Sequence, residues 1–412
     1  MPAPLYERKC CHDRCLYLRR PAHPRSKGKP GGTLNEVKPI RLLAGLLEAL
    51  QERHSLDTAL VDDVIMGCVA PVLEQGSCIA KAAVQSARWD ESVPGMQLDR
   101  FCASGLEAVN MAAAKVGSGH EDLVVAGGLE SMSRVPLGAS GGPMFADPEF
   151  VLGHHSVPQG IGADLIATLD GYSREDVDAF AMESQRRAAH ARDNGWFDRS
   201  VVPVRDMNGR VILERDDFIK PGTDMQALGA LKPSFAQMGA LGMDDMALAR
   251  YPQVARINHV HTPGNSSGIV DGAAAVLIGS EKAGRALGLA PRGRIVATAV
   301  LATDPMIMLT GPGPAAKKCL AKAGLGVEDV DIWEINEAFA SVALRYMRDL
   351  GLSHAVTNVC GGAIAMGHPL GATGAALVSI VLDELERRQA KRAMISLCVG
   401  GGMGISTLIE RV

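Results

Sequence analysis

Two stretches far apart in this chain follow one plan, and that repeat limits the available folds more than any other feature. Residues 56–67 (Leu-Asp-Thr-Ala-Leu-Val-Asp-Asp-Val-Ile-Met-Gly) and 325–336 (Leu-Gly-Val-Glu-Asp-Val-Asp-Ile-Trp-Glu-Ile-Asn) each set an acidic turn before a short apolar strand. After the first, a strand ending at Phe101 runs into a helix over 102–116, and the apolar strand 122–126 closes on Gly127-Gly128. After the second, a glycine-rich stretch at 361–374 runs into a helix over 375–387, and the strand 395–399 closes on Gly400-Gly401. Helix, strand and diglycine in the same order imply two related α/β halves.

The flanking pattern agrees. Residues 39–53 carry Leu42, Leu43, Leu46, Leu47 and Leu50 at helical spacing, and 61–69 and 96–101 read as strands. The helix over 102–116 puts Leu106, Val109, Ala113 and Val116 on one face, with Gly117 as its C-cap. Helices alternating with short apolar strands imply parallel sheets under helix layers. Forty-six glycines and only 4% aromatics make the core aliphatic, with backbones close together. Residues 133–255 differ, being rich in Gly, Pro, Met and Asp. They hold one clear helix over 174–193, with Ser173 as N-cap and Asp176 at its third position. A long irregular insertion of this kind is usually a ligand-covering segment.

The first 41 residues carry ten Lys/Arg against three acids, with Cys10, Cys11, His12 and Cys15 close together. Zinc is one reading of that cluster. No second ligand pair follows at finger spacing, so an atypical terminus is the better one. The arginines would suit a mitochondrial presequence, but Glu7 and Asp13 count against it. A net charge of -4 argues against a dedicated nucleic-acid binder. Apolar runs are too short to span a membrane, and the first 25 residues hold no apolar signal-peptide region. Nine cysteines, odd in number and mostly scattered through apolar segments, suit a reduced, cytoplasmic compartment in which a cysteine is kept for packing or for chemistry.

Four places could carry chemistry. Cys102 stands where a strand becomes a helix, where free N–H groups and the helix dipole favour a thiolate and could bind an oxyanion; a buried structural cysteine is the alternative. Cys398 ends the corresponding strand of the other half, before Gly400-Gly401-Gly402, whose backbone could approach a ligand. His368 lies among small residues in 361–374 and could deprotonate a thiol or polarise a carbonyl. That stretch has neither the G-x-G-x-x-G nor the Lys-[ST] ending of a phosphate cradle. Asn336, after the 331–335 strand and before a helix ending near Gly351, is either a plain N-cap or a holder of water or substrate oxygen at the sheet's carboxyl edge.

Taken together these blocks resemble the thiolase family, acetyl-CoA acetyltransferases and 3-ketoacyl-CoA thiolases, from about residue 33 to 412. The resemblance rests on Cys102-Ala103-Ser104-Gly105, Asn336-Glu337-Ala338-Phe339, Gly367-His368-Pro369 and Cys398-Val399-Gly400-Gly401-Gly402. It extends to the 127–133 block and to Gly264-Asn265-Ser266-Ser267-Gly268 followed by Asp271-Gly272-Ala273. It implies duplicated α/β halves in a five-layered core with an inserted loop domain: 1–132 plus 256–282, loop domain 133–255, and 283–412. It implies that Cys102 is the acylated nucleophile, that His368 activates it and polarises the thioester oxygen, and that Cys398 moves a proton at the acetyl-CoA carbon. Asn336 would hold a water in one oxyanion hole, and the amides of Cys102 and Gly400 would form the other. Ser267, Met308, Ala338, Phe339 and Lys220 would contact CoA, which is a substrate; no cofactor is needed.

The implied reaction is cleavage of 3-ketoacyl-CoA with CoA to acyl-CoA and acetyl-CoA, in fatty acid β-oxidation. The implied assembly is a homo-oligomer, dimer or tetramer, or a complex with a hydratase/dehydrogenase subunit. A short-chain acetyl-CoA C-acetyltransferase and a degenerate acyl-CoA-binding scaffold are the alternatives. A β-ketoacyl synthase would lack the Cys398 acid/base. Four departures bear on these. Residues 156–160 stand where short-chain members have a His-Met pair. Roughly twenty extra residues separate Phe235 from Ser267. Cys360 replaces an Asn that orients the His or Asn-rich loop by hydrogen bonding in relatives; a thiol is a weak substitute, so reduced activity is expected. Residues 16–18 and 23–25 match the opening strand and turn loosely, so that strand is expected to be altered or missing.

Overall fold

The computed structural model describes residues 16–19, 21–154 and 156–412. The Cys10–Cys15 cluster lies outside them. Strands β1 (Leu16–Arg19), β2 (Ser26–Lys27), β3 (Asp63–Gly67), β4 (Met96–Leu98) and β5 (Leu123–Ser131) come first, with α1 (Pro39–His54), α2 (Ile79–Ser86) and α3 (Ser104–Ser118) among them. The middle of the chain holds α4 (Pro143–Ala146), α5 (Pro148–Gly153), α6 (Gln159–Asp170), α7 (Arg174–Asp193) and a hairpin of β6 (Val204–Arg205) and β7 (Val211–Leu213). It continues with α8 (Met225–Gly229), α9 (Ala236–Met238) and α10 (Asp244–Arg250). The remainder holds β8 (Val270–Gly279), α11 (Glu281–Ala286), β9 (Gly293–Ala302), α12 (Pro312–Ala323), β10 (Ile332–Ile335), α13 (Ala340–Leu350), α14 (Ala363–Met366), α15 (Leu370–Arg387), β11 (Arg392–Val399) and β12 (Met403–Arg411).

The repeat reappears as pairing. β3 runs parallel to β5, which is antiparallel to β8; β10 runs parallel to β11, which is antiparallel to β12. β1 is present and antiparallel to both β8 and β9, so the loosely matching residues 16–18 form the seam that joins the two sets of strands.

Strand alternation sorts the core into layers. Val64, Met66, Leu123 and Val125 face α1 and α2, whereas Ile65, Val124 and Ala126 face a middle layer of α3 and α15. On the other sheet half, Ala393, Ile395 and Leu397 face that middle layer, and Met394 and Trp333 pack toward α12 and α13. Helix, sheet, helix, sheet, helix is the five-layered thiolase-like α/β arrangement. Strands covered on both faces explain the continuous apolar runs.

Several boundaries differ from those expected. α3 starts at Ser104 and ends on Gly119, whose φ of 80° is the left-handed cap geometry expected of Gly117. α15 starts at Leu370, so it takes in glycines read as loop. Those glycines serve contact: a Cβ on Gly374 would run into the Leu106 backbone, and one on Gly105 into the Gly371 carbonyl. The two middle helices therefore touch backbone to backbone beneath the site. α7 has the Ser173–Asp176 capping box in full.

Candidate active site

Cys102 stands on the turn between β4 and α3. Phe101 before it takes φ 47°, a conformation that costs a non-glycine residue about 1–2 kcal/mol. That turn is locked locally. Phe101 N donates to Asp99 Oδ1 at 2.7 Å, and Ser104 Oγ donates to the Phe101 carbonyl at 2.7 Å. Ala103 is the N-cap of α3, so Cys102 lies just outside the helix. Its side chain is buried, and burial pushes the thiol up to about 11, although the Gly400 N–H pulls the other way. The helix start was expected to lower this pKa; desolvation outweighs it.

Cys398 sits near the end of β11 and is also buried. Its thiol is pushed up by burial and then by Cys102 beside it. One thiol from each half thus meets at the junction, with the Gly400 N–H on the Cys102 sulfur. The 400–402 turn reaches this position through left-handed Gly401 (φ 73°) and Gly402 (φ 80°). It is tied down by Thr303 N donating to the Gly402 carbonyl at 2.6 Å.

His368 is buried, and burial followed by the Arg25 charge pushes its imidazole down to about 3, so it is neutral. Asn336 Nδ2 donates to His368 Nε2 at 3.2 Å. Asn336 is not the cap of α13, which is Phe339. Asn336 Oδ1 is buried and has no hydrogen-bond partner among the described residues. The His368 loop is fixed to the Cys102 side by Glu130, which accepts from Gly371 N (3.0 Å), Val69 N (3.0 Å), Ala70 N (3.1 Å) and Gln75 Nε2 (2.9 Å).

Residues 24–282 match the thiolase N-terminal domain and residues 289–411 the thiolase C-terminal domain. The chain belongs to the thiolase family. It is therefore an acyltransferase, and its substrates are CoA thioesters. It is 38% identical over 409 residues to a 3-oxoadipyl-CoA/3-oxo-5,6-dehydrosuberyl-CoA thiolase of Escherichia coli (strain K12), covering 93% of this chain and 96% of the relative. It is also 38% identical over 389 residues to a 3-ketoacyl-CoA thiolase of Cronobacter sakazakii, covering 93% of this chain and 95% of the relative. Among the described residues, no helix of this thiolase is long and apolar enough to cross a membrane.

The residues expected to meet CoA in this thiolase are linked by a few short contacts. Ser267 N donates to the Ala338 carbonyl at 2.9 Å, and His368 N to the Gly268 carbonyl at 2.9 Å. Met308, Ala338, Phe339 and Cys398 share one apolar cluster. Lys220 is exposed, with Nζ 5.2 Å from the centre of the Phe218 ring, and that ring lies against Gly268.

Cys360 does not do what its position suggested. Its buried thiol lies beside Glu384, with Glu334 near, and the network beneath Asn336 runs through Asn358 instead. Asn358 Nδ2 donates to the Ile335 carbonyl (2.9 Å) and to Glu337 Oε1 (2.8 Å), and its Oδ1 accepts from Ile335 N (2.9 Å). Glu337 also accepts from Ser184 Oγ (2.6 Å) and Ile364 N (3.1 Å). Sequence reasoning missed Asn358, the anchoring role of Glu130, and Thr373, whose Oγ1 meets His368 Nδ1. Thr373 was the one findable signal, as the only hydroxyl in the glycine-rich stretch that carries His368.

Proposed function

We propose that this thiolase cleaves 3-ketoacyl-CoA with CoA to acyl-CoA and acetyl-CoA, in the degradative direction of fatty acid β-oxidation. The observation that carries the proposal is the meeting of two buried thiols, Cys102 and Cys398, one from each half, with the Gly400 N–H on the first. The neutral His368–Asn336 pair is tied to the same place through Glu130 and the Gly105–Gly371 contact.

In the proposed reaction His368 takes the Cys102 proton, and the sulfur attacks the 3-keto carbon. The C2–C3 bond breaks, its electron pair forms the enolate of acetyl-CoA, and the Cys398 thiol gives that carbon a proton. The Cys398 thiolate then takes the proton of incoming CoA, whose sulfur displaces Cys102 from the acyl group, and His368 returns its proton to the departing Cys102 thiolate. Charge develops on two oxygens. Gly400 N–H and the Cys102 amide serve one; His368 and a water accepted by the free Asn336 Oδ1 serve the other. One such donor is worth about 3 kcal/mol. Side chains and CoA itself carry every step, so the proposal includes no resident cofactor or metal. Ser267, Met308, Ala338, Phe339 and Lys220 belong to it as the CoA-binding side.

The same reading divides the chain into 1–132 plus 256–282, a loop domain at 133–255, and 283–412. It makes the protein a cytoplasmic homo-oligomer, or a partner of a hydratase/dehydrogenase subunit, which sedimentation of the purified chain would distinguish. The relatives' names agree on a 3-oxoacyl thioester and differ in the acyl end. The aliphatic and Met-rich surroundings of Cys398 support an alkyl end. The test is CoA-dependent cleavage of acetoacetyl-CoA and of 3-ketoacyl-CoA of about C10 to C16, with Cys102→Ala as control. Faster cleavage of the longer substrate, lost in the variant, is expected. Activity confined to acetoacetyl-CoA would make the protein a short-chain acetyltransferase, and no activity from a folded chain would make it a scaffold.

A further inference from the structure

The extra residues after Phe235 are not a loose surface loop. They form α9, a wide helical turn at Gly239–Met243 and α10, and the two ends of α10 are fastened to different elements of the fold. At its start, Asp244 Oδ2 lies 2.9 Å from His259 Nε2, and His259 Nδ1 lies 2.7 Å from Asp164 Oδ2 on α6. At its end, Tyr251 Oη donates to Asp304 Oδ2 at 3.0 Å, and Arg250 Nε donates to the same oxygen at 3.3 Å. Asp304 in turn accepts from Met306 N at 3.0 Å through Oδ1, and its carbonyl accepts from Met308 N at 3.0 Å. α10 therefore straps α6 to the loop that carries Met308.

Between the fastenings, the inner side of the strap is apolar. Ala247 is fully buried, and Met243, Met246 and Leu248 pack on the cluster formed by Val157, Ile161, the 306–309 loop, Phe339 and Cys398. A substrate whose 3-keto carbon sits at the two thiols must run its alkyl chain away from them. An apolar cluster that includes Cys398 gives that chain a surface of its own chemistry. Methionine suits such a wall, because an unbranched thioether with three rotatable bonds can repack around chains of different length. Just before α10, Met238 and Leu241 are exposed.

We propose that residues 236–258 form the outer wall of the acyl-chain pocket, and that Met243 and Met246 set which linear 3-ketoacyl chains are accepted. This rests on the thiolase reading of Cys102 and Cys398 given above.

The test compares kcat/KM for thiolysis of acetoacetyl-CoA and of 3-ketododecanoyl-CoA in the full chain and in two variants. Met246→Trp fills the wall and is expected to lower the C12-to-C4 ratio about tenfold or more. Met243→Ala opens it and is expected to raise that ratio at least threefold. Opposite movements cannot come from general destabilisation, which lowers both substrates together. Should tryptophan prevent folding, Met246→Phe is read in the same direction with a smaller shift. A ratio within twofold of wild type in both variants, or a parallel loss on both substrates, overturns the inference while leaving the thiolase reading intact. Wild-type protein that cleaves neither substrate overturns that reading and this inference with it.

Discussion

His368 Nδ1 lies 2.6 Å from Thr373 Oγ1, whose own proton is given to the Pro369 carbonyl at 3.0 Å. The threonine oxygen must therefore accept, so His368 carries its proton on Nδ1 and leaves Nε2 bare toward Asn336. In the proposed reaction that bare nitrogen takes the proton from Cys102. Thr373→Val should leave a buried N–H unpaired and free the imidazole to adopt the other tautomer, a loss of about 1–3 kcal/mol. We expect kcat to fall about tenfold to hundredfold with KM little changed, and the pH–rate profile to shift. Thr373→Ser should restore both. An unchanged kcat and profile in the valine variant would show that Thr373 positions nothing.

The Cys102 thiol, pushed up to about 11, is protonated in the resting protein across the physiological range. Only the thiolate reacts with iodoacetamide. The alkylation rate at Cys102 should therefore rise about tenfold per pH unit from pH 7 to 10, without a plateau. A rate already flat below pH 8 would mean a standing Cys102–His368 ion pair and would contradict a neutral His368.

The two halves were legible, and the candidate site residues could be singled out, because each has a local signature. The repeat shows as strand, helix and diglycine, and Cys102, His368 and Cys398 stand among small residues that leave few structural reasons for their presence. What was not legible depends on contacts between the halves. The glycines at 371 and 374 read as loop because their cause, α3 pressed against them, lies far away in sequence. The Cys102 pKa was misjudged for a similar reason: the helix start is local, whereas burial is tertiary. Asn358 and Glu130 act through partners that no spacing rule links to them.

The Gly374 contact is testable. A methyl there would meet the Leu106 backbone, which has no rotamer with which to yield. Gly374→Ala should cost about 1–3 kcal/mol through overpacking, and more if α3 must move. The expected readout is a melting temperature several degrees lower, with residual activity reduced because Cys102 stands on the turn that leads into α3. A melting temperature equal to wild type would mean that the two helices can separate freely.

Cys360 faces Glu384 and the middle-layer core, away from the His368 hydrogen bonds. Cys360→Ala should therefore keep kcat within about threefold while lowering stability by roughly 1 kcal/mol through a small cavity. Calorimetry and steady-state thiolysis on one preparation would check both. A large fall in kcat with unchanged stability would restore the idea that residue 360 orients the histidine.

His259 gives the acyl-pocket strap a pH dependence whose sign can be worked out. Its imidazole bridges Asp164 at 2.7 Å and Asp244 at 2.9 Å, and the same Asp164 also holds His261 at 2.7 Å. The hydrogen bond to Asp164 raises its pKa to about 9; burial opposes this, and Asp244 adds to it. In the unfolded chain the ordinary value is about 6.5. Folding therefore favours the protonated ring. The stabilisation is full below about pH 6.5, declines between there and 9, and is gone above. His259→Gln keeps a polar side chain but cannot acquire the charge. The wild type should melt several degrees above His259→Gln at pH 6, and the two melting curves should converge by about pH 9.5. Curves that stay parallel over that range would mean that the bridge contributes through shape alone, and that the strap is held chiefly at its Tyr251–Asp304 end.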